Sequence, residues 1–86
     1  MPTISQFYGI KIRMFYDEKH EPHFHANYAE YRASISIADG SIIAGELPTR
    51  AYHLILEWLA MHRSGLDANW ERARRGQAVH NIEPLK

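Results

Sequence analysis

Between residues 9 and 47 apolar and polar side chains alternate, and beyond residue 49 the apolar positions recur every three or four. A period of two places successive side chains on opposite faces of a strand, whereas the longer period gathers them on one stripe of a helix. Strands first and helices afterwards restrict the chain to an α+β fold, with helices packed on one face of an antiparallel sheet. Ile10, Ile12, Met14 and Tyr16 share one face of the first alternating segment, with Lys11, Arg13 and Phe15 on the other. After Pro22, Phe24, Ala26 and Tyr28 oppose His23, His25 and Asn27. Tyr31, Ala33, Ile35 and Ile37 then oppose Arg32, Ser34 and Ser36. Asp39-Gly40 is a hairpin signal, and Ser41 to Leu47 supplies the returning strand. The result is a meander of about four strands, with poor turn chemistry at Ala29-Glu30.

A helix is expected from Pro48-Thr49, with Thr49 as its N-cap or Pro48 as its first helical residue. Tyr52, Ile55, Leu56 and Leu59 form its apolar stripe, widened by Ala51, Leu54, Trp58 and Met61, so most of it is buried against the sheet. Gly65 is read as its stop. A second helix follows from Leu66 to Arg75, anchored by Leu66 and Trp70 and ending at Gly76. The tail Ile82-Glu83-Pro84-Leu85 is an extended piece. The chain is thus a single domain over 1–86, β-rich over 1–47, helical over 48–76 and extended over 77–86.

Composition narrows the function classes. At 86 residues a domain buries only a little over ~60% of its unfolded surface, and a hydrophobic fraction of 45% is ordinary for a globular chain. With no cysteine, disulfides, thiolate metal sites and cysteine nucleophiles are excluded, and a reducing cytoplasm fits. No apolar run reaches the ~18 residues needed to span a bilayer, and no signal-peptide pattern opens the chain, so a cytoplasmic protein without membrane partners is expected. The formal net charge is zero, which argues against binding a polyanion through bulk charge.

Local placement therefore carries the functional argument. The sheet face away from the helices would hold Lys11, Arg13, His23, His25, Asn27, Arg32, Ser34 and Ser36, a cationic, donor-rich surface that could grip phosphates or a carboxylate-bearing partner. The plainer alternative is the solvated side of a one-layer sheet. His23 and His25, two positions apart on a strand, point the same way. As metal ligands they would need a third from His20, Glu21, Glu46 or His80. As an acid–base pair beside Arg13 they could cleave RNA without metal. One histidine would take the proton of the attacking 2′-hydroxyl, the other would protonate the leaving oxygen, and the arginine would offset the phosphorane charge. In a purely structural role they would hydrogen-bond backbone carbonyls. The company of Arg13, Lys11 and Arg32 favours an anion over a cation and leaves His20 outside the site.

The remaining features are architectural. His53 and Glu57 form a surface pair at i, i+4, and His62 and His80 have no evident partners. Trp58 and Trp70 lie on apolar helical faces as core anchors. Arg72, Arg74 and Arg75 suit a helix C-terminus.

Phe7-Tyr8-Gly9-Ile10, Pro22-His23-Phe24-His25-Ala26, Gly45-Glu46-Leu47-Pro48, Arg50-Ala51, Glu57-Trp58, Asn69-Trp70 and Ile82-Glu83-Pro84-Leu85 together resemble the bacterial "domain of unknown function 4160" family, as does Pro2-Thr3-Ile4-Ser5. The resemblance spans essentially the whole chain, and its most specific part is the Pro-His-Phe-His-Ala element. It implies a small bacterial protein encoded beside a second small protein, a layout similar to toxin–antitoxin pairs. It brings no catalytic mechanism, only an emphasis on His23 and His25.

Two expectations follow. The first is a toxin-like component acting on RNA through His23, His25 and Arg13, with Lys11, Arg32 and Asn27 as binding residues and a cognate small antitoxin-like protein as partner. The second is a non-catalytic module whose polar sheet face docks a small partner protein. Metal held by His23 and His25 is a variant of either, and self-association stays open.

Overall fold

Five antiparallel strands hydrogen-bond in chain order in the computed structural model, which describes residues 3–17 and 19–86. They are β1 (Thr3–Phe7), β2 (Ile10–Arg13), β3 (His23–Tyr28), β4 (Tyr31–Ser36) and β5 (Ile42–Glu46), followed by α1 (Thr49–Arg74). Alternation sends Ile10, Ile12, Phe24, Ala26, Ala33 and Ile35 to one face, where all are buried. Ala51, Ile55, Trp58, Leu59, Leu66 and Trp70 of α1 close that face. Trp58 is the centre of the contact, with its ring 5.4 Å from Phe7 and 5.6 Å from Phe24. Emptying such a position costs about 3–5 kcal/mol.

The sheet has one strand more than the four expected. Its first strand hides its period, because Ile4 and Phe7 both reach the core at 2% and 5% exposure although they are three residues apart. A bulge makes this geometry workable: Thr3 pairs with Arg13 and Ser5 with Ile12, leaving Ile4 over-counted on one side. Tyr8 and Gly9, both at positive φ, then turn the chain into β2.

The two expected helices are one element, interrupted only at His62, whose φ of −128° and ψ of 19° depart from helical values. Gly65 does not end it. A glycine stops a helix by turning left-handed after the last turn, and Gly76 does this at φ +72°. Gln77 N–H bonds the Arg72 carbonyl (2.8 Å) and Gly76 N–H the Ala73 carbonyl (3.1 Å), the Schellman pattern. At the other end Pro48 itself occupies the N-cap position, with ψ of 148°, and Thr49 is the first helical residue; no side chain caps the helix.

The tail from residue 77 onward crosses back under α1. Asn69, fully buried, donates to the His80 carbonyl and accepts from the His80 N–H, each at 2.8 Å. Trp58 Nε1 donates to the Glu83 carbonyl, and Ile82 N–H bonds Ile4 O at 2.7 Å, so the tail also reaches β1. No helix among the described residues is long and apolar enough to cross a membrane.

Candidate functional site

The register assembles the polar face row by row. Arg13 stands opposite His25, His25 opposite Ser34, and Ser34 opposite Ala44. The neighbouring row runs Lys11, Asn27, Arg32, Glu46. In antiparallel pairs opposed side chains lie close enough to act together. The two rows border a cleft of about 400 Å³, lined by Arg13, Phe15, His25, Asn27, Arg32, Ser34 and the small residues Ala44 and Gly45. That volume lies within the range of about 300–1,000 Å³ common for small-molecule sites.

Two groups in this cleft lack partners. Arg13 Nε and His25 Nε2 are both buried, and neither bonds any other atom among the described residues. Buried polar atoms are nearly always bonded, so these two are exceptions, as are Ser5 Oγ and His62 Nε2 elsewhere in the fold; what sets Arg13 and His25 apart is that they stand opposite each other beside a cleft. Phe15 stacks on the His25 ring with centroids 4.5 Å apart and planes 8° from parallel, which fixes the imidazole and shields it.

A second, smaller cavity of about 90 Å³ adjoins His25 and Ser34 and is lined by Asp17, His20, His23, Ile43 and Ala44. The β4–β5 pairing creates part of it. The pairing passes from Ser34–Ala44 to Ile35–Ile42, so Ile43 is a bulged residue and joins the wall. The histidine rings stand edge-on, His20 to His23 at 5.7 Å and His23 to His25 at 5.0 Å. Asp17 accepts a hydrogen bond from His20 Nδ1 at 2.9 Å, and the Glu21 carbonyl accepts one from His23 Nδ1 at 2.8 Å. Ser34 Oγ lies 3.3 Å from His25 Nδ1.

Electrostatics follow from these contacts. The Lys19 backbone N–H, seconded by His20, holds the Asp17 carboxyl below the usual range, so it is anionic at neutral pH. Burial pushes the His25 imidazole below its ordinary value, and the nearby His23 adds to this, so His25 is neutral at neutral pH.

The sequence-predicted residues separate into two groups. Arg13, His25, Asn27 and Arg32 share the large cleft, while Lys11 lies in the register row without lining it. His23, at 3% exposure, lies behind the cleft with its ring 5.2 Å from Trp70 and its Nδ1 on a backbone carbonyl. Ser36, on the same face, is fully buried and donates to Glu21. Among the proposed third metal ligands, Glu21 is thus engaged by Ser36, Glu46 pairs at the far end of the sheet, and the His80 backbone is bonded by Asn69. His20, expected to stand outside the site, lies inside the histidine cluster. Asp17 and Ile43 escaped sequence reasoning: Asp17 follows the last alternating residue, and Ile43 reaches the polar face only through the bulge.

The family model described as a domain of unknown function (DUF4160) matches residues 9–71. The chain belongs to this family. The match runs from β2 into the last turns of α1 and contains every residue of both cavities. Neither a curated protein nor a solved structure matches the chain.

Proposed function

We propose that the polar sheet face binds the phosphodiester backbone of RNA, and that the domain is the toxin-like member of a bacterial toxin–antitoxin pair working in the cytoplasm. The observation that supports this most is the pair of unbonded nitrogens on Arg13 and His25, opposite each other in one cleft. A phosphate oxygen there would accept from the guanidinium. Arg32 and Asn27 across the cleft add donors for a second oxygen or a base edge. Chemistry on the bound phosphate belongs to the histidine end, because His25 borders both cavities. A small antitoxin-like partner would silence the protein by covering this face. Expression alone should arrest growth, and Arg13→Met or His25→Ala should relieve the arrest at equal protein level. Arrest that persists in both variants would remove the reading.

One observation favours the non-catalytic alternative. The His23 bond to the Glu21 carbonyl is what a hairpin-fixing histidine makes, leaving His25 alone at the cleft. In that reading the same face docks a partner protein. Arg13→Met would then weaken capture of the neighbouring gene's product while RNA stays intact at every pH.

A further inference from the structure

His20, His23 and His25 border the cavity of about 90 Å³. The first two have Nδ1 on groups that can only accept, the Asp17 carboxylate and the Glu21 carbonyl. In their neutral form the proton is therefore on Nδ1, and Nε2 is an acceptor. His25 differs. Its Nδ1 is 3.3 Å from Ser34 Oγ, a hydroxyl that can donate, and a bond donated there leaves the His25 proton on the buried, unbonded Nε2. Donors thus gather on the cleft side, at Arg13 and His25, and acceptors on the cavity side, at His20 and His23.

Size and charge say what the cavity suits. It is well below the ~300 Å³ at which small-molecule sites begin, yet ample for a hydroxyl, since a water takes ~30 Å³ in the liquid. The anionic Asp17 on its wall repels a second phosphate. Among the described residues no three of these side chains are gathered to hold a metal ion.

We infer that the cavity takes the 2′-hydroxyl of the nucleotide whose phosphate is held at Arg13, with His23 Nε2 as its acceptor, so that the protein selects ribose over deoxyribose. Sugar selection rests on the RNA reading of the cleft and goes further, because phosphate contacts alone do not tell RNA from DNA whereas a contact to the 2′-hydroxyl does. The two spaces share His25, Ser34 and Ala44 as a common wall. In RNA the 2′-hydroxyl lies on the carbon next to the one bearing the 3′-phosphate. A nucleotide with its phosphate against Arg13 and its sugar over the small Ala44 therefore brings that hydroxyl to the cavity. His23 is the nearer acceptor, its ring 5.0 Å from His25, with His20 one ring beyond at 5.7 Å. The Glu21 carbonyl and Trp70, 5.2 Å away, already hold the His23 ring, so little freedom is lost on binding.

The test is fluorescence anisotropy with three single strands of one sequence, built on ribose, 2′-fluororibose or deoxyribose. Fluorine keeps a ribose-like sugar pucker but cannot donate a hydrogen bond. The parent should bind the ribose strand about tenfold tighter than the other two, the loss of one buried hydrogen bond. His23→Phe, which keeps a ring against Trp70, should bind all three strands as the parent binds the fluoro strand. Arg13→Met should weaken all three alike and keep the preference. Near-ultraviolet circular dichroism verifies the fold of His23→Phe, and the comparison of strands on the parent needs no variant. Equal parent affinity for the three strands, or a folded His23→Phe that keeps the preference, overturns the 2′-hydroxyl site and leaves phosphate binding in place. No binding of any strand by the parent overturns the RNA reading and sugar selection with it.

Discussion

Arg13 and His25 face each other across the β2–β3 pairing, each with a buried nitrogen that no atom among the described residues bonds. Each such atom costs folding about 1–3 kcal/mol. The binding of an outside group proposed above would satisfy both atoms and offset that cost.

Arg13→Met should therefore leave urea stability unchanged or raise it by up to about 1–2 kcal/mol, because it removes an unsatisfied donor while keeping the apolar stem. A loss above about 2 kcal/mol would show the guanidinium to be structural.

The His25 imidazole should titrate below 6.5, since burial penalises its charged form. The unfolded chain, at about 6.5, then takes the proton first. Stability from this group is full above 6.5 and declines as pH falls through 6.5 toward the lowered native value. NMR titration of the His25 ring protons measures it, and a midpoint at or above 6.5 would contradict the burial.

Much of the sheet was legible because three segments keep a strict period of two with one face buried, which leaves little freedom of register. The parts that escaped are those where the period breaks. The bulge near Ser5 concealed β1, and the bulge at Ile43 moved an apolar side chain onto the polar face. Ala29 turns the chain at φ +51° without the glycine or asparagine that normally announces such a turn. Gly65 looked like a helix stop because composition cannot distinguish a helical glycine from a left-handed one; Gly76 supplied the real stop. Arg13, His25, Asn27 and Arg32 were recognisable as neighbours from strand parity alone. Asp17 and His20 were not, since they lie in a connection where no period applies.

Gly45→Ala should destabilise the protein by about 2–4 kcal/mol, from backbone strain together with overpacking. Gly45 has φ +84°, and a Cβ there would collide with the Arg32 carbonyl. Chemical denaturation checks it, and a neutral result would show that the β4–β5 ladder can shift.

Asn69→Leu should cost about 2–4 kcal/mol and loosen the tail, because it removes both bonds to the His80 backbone and the acceptor of Arg72. Hydrogen exchange at the Ile82 amide, bonded to Ile4 O, should accelerate with it. Unchanged protection would mean that Leu85 and the Trp58 bond hold the tail unaided.

Whether the Arg13–His25 cleft takes an RNA phosphate is decided by fluorescence anisotropy with a short single-stranded RNA over a range of salt. The parent should bind with a log–log salt slope of about −1.4, for two arginines each neutralising one phosphate at about −0.7. Arg13→Met should lose about tenfold or more in affinity and halve that slope. No binding by the parent, or equal affinity and slope in Arg13→Met, would show that this cleft takes no RNA phosphate.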